Sequence, residues 1–384
     1  MVTARVHVKP ELLEWACERA GLGVDAFADS FPKLSEWVAG GAKPTFKQLE
    51  DFARVARVPI GYLFLPEPPE EPLPIPDFRT VPGAQLQRPS PDLLDTIYAM
   101  QRRQAWLRET LLENGAEPLA LVGSARVSDV PQAIGNEMRR ILSLEDGWAR
   151  GIGTWQEAVL ELRRAIEALG VMAVINAIVG NNTHRKLNVA EFRGFALSDP
   201  YAPLVFVNGA DAKSAQMFTL AHELAHLWLG AEGLSGFEDL LPRGTEVEDW
   251  CNQAAAEFLI PAQALKPRWA DVKRDQDSFG TLAREFKVSP IVVARRALDL
   301  RLVGRETFFA FYRAYVKEER RRGGRRTGGG DFYNNQNTRV GALFAGHVVR
   351  AALEGRIGFK EAYDLTGLRS GAFQEYAQRL GVEL

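Results

Sequence analysis

The sequence TLAHELAHLWLG at residues 219–230 places two histidines four residues apart in a stretch that is otherwise apolar and strongly helix-forming. In an α-helix, His222 and His226 lie about 40° apart around the axis and about 6 Å apart along it, so both imidazoles can reach one ion. Glu223 lies about 60° from His226, where its carboxylate can take a proton from an activated water. The spacing therefore predicts a metal site with Glu223 as its acid/base.

Zinc suits this chemistry because it polarises a carbonyl and lowers the pKa of water without redox side reactions. The alternative is a buried core helix that happens to contain two satisfied histidines. A chain with five histidines yields this motif by chance roughly once in a hundred such chains. A strand-like segment before the helix and Gly230 after it favour the metal site.

A catalytic zinc takes three protein ligands and a water, so one more ligand is expected. The elongated HExxHxxGxxH pattern is absent, because Leu229 and Glu232 occupy its later positions. A carboxylate is therefore favoured over a third histidine. The downstream candidates are Glu232, Glu238, Asp239, Glu246, Glu248, Asp249 and Glu257.

The next helical segment, DWCNQAAAEFLIP, favours Glu248 among these candidates once the helix is extended back to include it. Glu248 and Asn252 share one face with small residues, whereas Glu257 points about 180° away from Glu248. This face would bring Glu248 to the ion and Asn252 to a ligand histidine. The alternatives are that Glu248 is only a favourable acid in a first helical turn, and that Cys251 is a small core residue or a ligand.

Two paired motifs, FTLAHELAHLWLG and EDWCNQAAAEFLIP, resemble the ImmA/IrrE family of zinc metallopeptidases. The resemblance extends upstream through EFRGFALSDPYAPLVFVN and downstream through FGTLAREFKVSPIVVARRALDLRLV and GGGDFYNNQNTRVG. It covers most of residues 92–384 in the longer members of the family. It implies that His222, His226 and Glu248 bind Zn²⁺ and that Glu223 is the catalytic acid/base. It also implies a protein substrate, a transcriptional repressor of a phage, mobile-element or stress-response circuit.

The predicted fold class is α+β and mostly helical, with a zincin-like peptidase core of a small sheet beside the HExxH helix. Strands are expected in VMAVINAIVG, FRGFALS and APLVFVN. The last of these is either an edge strand that pairs with an extended peptide or an ordinary core strand. Both alternatives stay open.

Four segments are predicted along the chain, and the second is marked by its proline content, because nine of the 21 prolines fall within residues 66–91. They are a helix-turn-helix-like domain at 1–66, a proline-rich linker at 67–91, a zinc peptidase domain at 92–304 and a helical C-terminal region at 305–384. Within the last, the segment EERRRGGRRTGGG at 318–330 is expected to be a loop. Its arginines form either a solvated charge run or a nucleic-acid contact.

A second group besides zinc is needed to stabilise the oxyanion of the transition state. The candidates are His184, Tyr201 and Tyr333, and the sequence does not choose among them.

Residues 9–65 resemble the helix-turn-helix domain of phage repressors, which implies DNA binding. Residues 1–65 contain eight basic and eight acidic residues, and the recognition stretch offers only Lys33 and Lys43 beside Glu36. This balance disfavours DNA binding, which relies on phosphate contacts. A neutral helical unit for self-association, autoinhibition or substrate docking is the favoured interpretation.

Composition adds little about partners, because the formal charge is -2 and the pI is about 6.3. The two cysteines form no disulfide framework, which favours a reducing cytoplasm. No signal peptide or membrane-spanning run is evident in the sequence. The main hypothesis is a cytoplasmic zinc endopeptidase acting on a regulatory protein, and the competing one is a DNA-binding regulator whose peptidase fold is a sensor or scaffold.

Overall fold

The computed structural model describes residues 5–77, 88–235, 245–322, 332–368 and 370–379, with backbone only for 319–322 and 332–335. The chain divides into two compact units. The first comprises residues 1–74 with 85–98, and the second comprises residues 75–84 with 99–384.

The first unit is helical in its described part, as its short periodic segments predict. Its helices are α1 (Pro10–Arg19), α2 (Leu34–Val38) and α3 (Phe46–Val55), with 3-10 turns at Val24–Phe27 and Ile60–Phe64. A capping box between Thr45 and Gln48 fixes the start of α3. Aromatic side chains fill the core, with Phe52 packed edge-on against Phe27 and Phe31. The helix-turn-helix assignment stays a prediction.

Helix α4 (Pro91–Glu113) belongs to the first unit up to residue 98 and to the second from residue 99. The other helices of the second unit are α5 (Pro131–Ile141), α6 (Trp155–Ala168), α7 (Lys213–Leu229), α8 (Glu246–Leu259), α9 (Ala262–Val272), α10 (Ser278–Phe286), α11 (Pro290–Asp299), α12 (Arg305–Arg322), α13 (Phe332–Val340), α14 (Ala342–Leu353), α15 (Phe359–Thr366) and α16 (Ser370–Arg379). A 3-10 turn lies at Trp148–Gly151.

The main sheet of the second unit has four strands in the order β1-β5-β4-β6. Its strands are β1 (Met172–Asn176), β4 (Gly194–Leu197), β5 (Leu204–Asn208) and β6 (Gly233–Ser235). Strands β1 and β5 are parallel, and the other pairs are antiparallel. A separate hairpin joins β2 (Ile178–Val179) to β3 (Asn182–Lys186).

Helix α7 packs on one face of this sheet, because alternate strand residues on that face are small or β-branched. The buried residues that join α7 in one apolar core are Ala173, Ile175, Ala196, Val205 and Val207. The opposite face carries a stacked pair, Phe195 and Phe206, with ring centroids 4.8 Å apart. This predicted fold class, mostly helical α+β with a small sheet beside the histidine helix, is confirmed.

The structure corrects one expectation about the sheet. The segment APLVFVN contains β5, which pairs with β1 on one side and β4 on the other. All five residues of β5 are buried, so the edge-strand alternative is wrong and the core-strand alternative holds. On the other side of β4 lies β6, whose Leu234 N–H donates to the Pro76 carbonyl at 3.0 Å.

A second correction concerns the predicted loop at 318–330. Helix α12 continues to Arg322, so the first five residues of this segment are helical. The remaining residues, 323–330, lie outside the described part of the chain. Across the described residues, no helix has the length and apolar character that a membrane crossing would need.

Candidate metal site

Helix α7 carries the two motif histidines through the interior of the second unit. Its Ala- and Leu-rich sequence favours a helix, and it ends where Gly230 adopts a left-handed φ of 64°. Every residue from Gln216 to Trp228 is buried. The polar side chains of a helix that is buried on all sides must find their partners inside the protein. The partners of His222 and His226 therefore indicate the role of the two histidines.

The two imidazoles of α7 converge, as their spacing predicts. The Nε2 atoms of His222 and His226 lie 3.1 Å apart. Both side chains are almost fully buried, at 2% and 0% exposure. The two ring nitrogens therefore point to the same small region of the interior.

Helix α8 brings Glu248 to the same point. Thr245 is the N-cap of α8 and its hydroxyl accepts from the Glu248 backbone N–H at 3.3 Å, which places Glu248 in the first turn. Its carboxylate oxygens lie 3.1 Å from His222 Nε2 and 3.1 Å from His226 Nε2. The side chain thus faces the histidines. A favourable acid in a first helical turn would not need these contacts, so that alternative does not explain the position of Glu248.

One ligand atom from each of His222, His226 and Glu248 can be chosen so that all lie within 4.8 Å of one another. Among the described residues this is the group of histidine, cysteine or acidic side chains with the geometry of a metal site. Two imidazole nitrogens and a carboxylate oxygen form a donor set that suits zinc. The residues present therefore fit the predicted ion.

Asn252, one turn after Glu248, orients the first histidine. Its Oδ1 lies 3.1 Å from His222 Nδ1. An amide oxygen only accepts, so this contact assigns the Nδ1 proton to His222 and leaves Nε2 with its lone pair toward Glu248 and His226. A ligand histidine needs this tautomer.

Burial sets the protonation of the site. Desolvation lowers the pKa of His226, and the nearby Glu248 only partly opposes this shift. Burial alone would raise the pKa of Glu248, but its interactions with the two histidines outweigh this effect and lower the pKa well below its usual value. A neutral imidazole beside an ionised carboxylate is the state in which both bind a cation.

Glu223 is fully buried between α7 and strand β4. A Cβ placed on Gly194 would lie 2.7 Å from Glu223 Oε1 and 2.6 Å from Thr219 Cγ2. Only glycine leaves room for the carboxylate at this point of the strand. The segment FRGFALS thus contains a residue that shapes the site, and its single glycine within a strand pattern was the available signal.

The other sequence candidates lie on elements other than α7 and α8 or outside the described residues. His184 is exposed on β3, in the hairpin rather than the main sheet, and the Tyr201 ring lies 5.9 Å from the Arg108 guanidinium. The Tyr333 side chain lies outside the described residues, as do Glu238 and Asp239. The oxyanion roles of His184, Tyr201 and Tyr333 stay predictions.

Two further residues of α8, Glu257 and Cys251, contribute to the packing of the fold. Glu257 forms an ion pair with Arg296, on the other side of the helix from Glu248. Cys251 is buried in the apolar core, and desolvation raises the pKa of its thiol well above its usual value. A thiol held in its protonated form packs as a small apolar residue, so the core interpretation of Cys251 is favoured.

Comparison with known proteins adds a family match to this geometry. Residues 167–298, about a third of the chain, match the family model of the IrrE N-terminal-like domain, a peptidase family. The match includes α7 and α8, so it contains His222, Glu223, His226 and Glu248. It supports the predicted ImmA/IrrE resemblance and a metallopeptidase-family function, which implies a metal.

The C-terminal region has a match of its own. Residues 340–379 match a family model that is described only as a domain of unknown function. The search of curated proteins found no match to the chain.

Proposed function

We propose that this protein is a zinc-dependent endopeptidase that hydrolyses a peptide bond in a regulatory protein. The observation that carries the proposal is the buried group of His222, His226 and Glu248, with ligand atoms within 4.8 Å of one another, next to Glu223. The family match over residues 167–298 supports the peptidase class.

In this proposal, His222, His226 and Glu248 hold the ion. When bound, Zn²⁺ acts as a Lewis acid toward the peptide carbonyl and lowers the pKa of water toward neutrality. The lowered pKa of His226 keeps its imidazole neutral and able to bind a cation. Asn252 holds His222 in the tautomer that exposes Nε2.

Glu223 is the proposed general base and acid. Its carboxylate takes a proton from the attacking water and gives a proton to the departing amine nitrogen. Full burial beside the sheet and the close approach at Gly194 restrict where the carboxylate can lie. This restriction serves proton transfer, because the donor and acceptor must be held within hydrogen-bond distance.

The proposed substrate is a transcriptional repressor, and this part rests on the family resemblance alone. A reducing cytoplasm is the proposed compartment, which agrees with the free, buried thiols of Cys17 and Cys251. The competing function, a DNA-binding regulator, has less support. Helix α2 in the presumed recognition region has only five residues, and the acidic Glu36 on it is exposed.

The test is a comparison of the zinc-loaded full chain with Glu223→Gln and with the matched control Glu232→Gln. A panel of repressor proteins is incubated with each variant, and new peptide N-termini are identified by mass spectrometry. We expect cleavage by the wild type and the control, and a loss of at least about 1000-fold in Glu223→Gln with zinc retained. Equal cleavage by Glu223→Gln, or no cleavage by any form, would argue against the proposal.

A further inference from the structure

Ser235, the last residue of β6, was not singled out by any motif. It pairs across the sheet with Gly194 of β4, the glycine against which Glu223 packs. Its side chain is 3% exposed. Its hydroxyl oxygen has no hydrogen-bond partner among the described residues.

The register fixes the direction of this hydroxyl. Residues directly opposite each other in an antiparallel pair project to the same face, with Cβ positions about 5 Å apart. The Cβ position of Gly194 lies 2.7 Å from Glu223 Oε1. Ser235 therefore points to the face covered by α7, and its Cβ lies within about 8 Å of Glu223 Oε1.

This face of the sheet is otherwise apolar in its described strands. Its other members alternate along the four strands and are Ala173, Ile175, Gly194, Ala196, Val205, Val207 and Gly233. A hydroxyl among them destabilises the fold unless it is hydrogen-bonded. Alanine or valine would suit this position better if packing were the only requirement.

We propose that the Ser235 hydroxyl is a substrate-binding group that hydrogen-bonds to the peptide backbone beside Glu223. The proposal rests on the proposed peptidase function and extends it to a residue outside the metal motif. A hydroxyl both donates and accepts, so it can bind either the N–H or the C=O of a peptide group. Such a contact does not depend on the side chains of the substrate. Because Ser235 and Glu223 lie on either side of the Gly194 position, a peptide bound at the carboxylate would come within reach of the hydroxyl.

The ordinary explanation of a buried hydroxyl is a bound water that satisfies it. The two explanations differ in the effect of Ser235→Ala on stability. Loss of an unsatisfied hydroxyl removes a desolvation cost and stabilises the protein, whereas loss of a water-bridged one destabilises it. Binding groups that are satisfied only by the substrate commonly lower the stability of the free protein.

The experiment uses the full chain as wild type, Ser235→Ala, Ser235→Thr and Ser289→Ala, a buried serine at the N-cap of α11 that serves as control. Two probes are titrated into the zinc-loaded proteins: acetohydroxamate, which contacts only the metal, and a short peptide hydroxamate. Thermal unfolding of the metal-free proteins is measured in parallel.

We expect Ser235→Ala to weaken the peptide hydroxamate about fivefold to tenfold and to leave acetohydroxamate unchanged. Its Tm should rise by about 2–4 °C. Ser235→Thr should retain the affinity of the wild type, because it keeps the hydroxyl. Ser289→Ala should retain both affinities.

An unchanged affinity for the peptide probe, or a lower Tm, in Ser235→Ala would overturn the role of Ser235 and leave the metal site standing. Failure of both hydroxamates to bind the zinc-loaded wild type would instead contradict the proposed peptidase function, and this proposal with it.

Discussion

The two ends of helix α8 each bury a carboxylate, and their surroundings differ. Glu257, near the C-terminal end, pairs with the Arg296 guanidinium. The carboxylate oxygens of Glu248, in the first turn, lie 3.1 Å from the Nε2 atoms of His222 and His226. One carboxylate has a permanent cation beside it, and the other faces two imidazoles.

The pair at Glu257 is completed by the protein itself. Burial lowers the pKa of Arg296 to about 10, which still leaves the guanidinium charged at neutral pH. Its Nε also donates to the Ile260 carbonyl at 3.1 Å. Arg139 donates to the carbonyl of Glu257 at 2.7 Å. This end of α8 is a structural ion pair with its hydrogen bonds made.

The cluster at Glu248 is built differently. Burial lowers the pKa of His226, so the imidazole resists the proton that would make it a counter-ion. A buried carboxylate needs a positive charge, and in the proposed function a divalent cation supplies it. The comparison gives a way to distinguish a structural ion pair from a candidate metal site. In the ion pair the carboxylate faces a side chain that stays charged, and in the candidate metal site it faces side chains that stay neutral.

The largest expected effect is that of Glu257→Ala on stability. The substitution leaves the Arg296 guanidinium buried without its carboxylate, which should cost about 3–5 kcal/mol of unfolding free energy. Chemical denaturation of the metal-free protein measures it, with exposed Glu50→Ala as control. A loss below about 1 kcal/mol would contradict the structural role given to this pair.

Glu248→Gln should have the opposite profile. Zinc affinity should fall by more than about 100-fold, because loss of a group that only supports a ligand already costs 10–100-fold. The stability of the metal-free protein should change little, since no buried guanidinium is left without a partner. Competition with a chromogenic chelator measures the affinity. If Glu248→Gln bound zinc as tightly as Glu257→Gln does, the proposed difference between the two ends of α8 would be wrong.

Asn252→Ala should weaken zinc binding by about 10–100-fold without removing a ligand. The amide holds His222 Nδ1 at 3.1 Å, and its loss frees the ring to rotate and to change tautomer. The same competition assay measures the effect, with Asn114→Ala as a control away from the histidines. Wild-type affinity in Asn252→Ala would show that His222 is oriented by something else.

The smallest effect is a pH dependence of stability in the metal-free protein. The pKa of His226 is lowered by burial from its ordinary value of 6.5. Above pH 6.5 both the folded and the unfolded chain hold the imidazole neutral, so His226 contributes no slope. Below pH 6.5 the unfolded chain binds the proton first, and the free energy of unfolding falls as the pH falls.

His226→Gln should therefore flatten this decline below about pH 6.5. The half-buried His347, whose pKa is also lowered by desolvation, accounts for part of the remaining slope. Urea denaturation at stepped pH values gives the comparison, and an unchanged slope in His226→Gln would contradict a neutral buried imidazole.

The site could be predicted from sequence where its geometry is local. The spacing of His222 and His226 is set by one helix, and the face shared by Glu248 and Asn252 is set by another. The partnership of Glu257 with Arg296 joins residues 39 positions apart, so helix periodicity indicated only that Glu257 faces away from Glu248. The partner itself could not be read from the sequence.

The sheet shows the same limit more strongly. Strand-like patterns predicted the segments that contain β1, β4 and β5. They did not predict that β5 lies between the other two strands. Strand order depends on non-local pairing, and an apolar run does not distinguish a central strand from an edge strand. For the same reason the pairing of Ser235 with Gly194, which brings a hydroxyl beside Glu223, has no local signature.

The measurement that tests the central claim most directly is zinc-edge X-ray absorption spectroscopy of the full chain loaded with one equivalent of Zn²⁺. The account predicts a shell of nitrogen and oxygen ligands at about 2.0–2.1 Å with multiple scattering from two imidazoles. Glu248→Gln should alter that shell, and Glu257→Gln should not. A sulfur ligand near 2.3 Å, or the scattering of fewer than two imidazoles, would contradict an ion held by His222, His226 and Glu248.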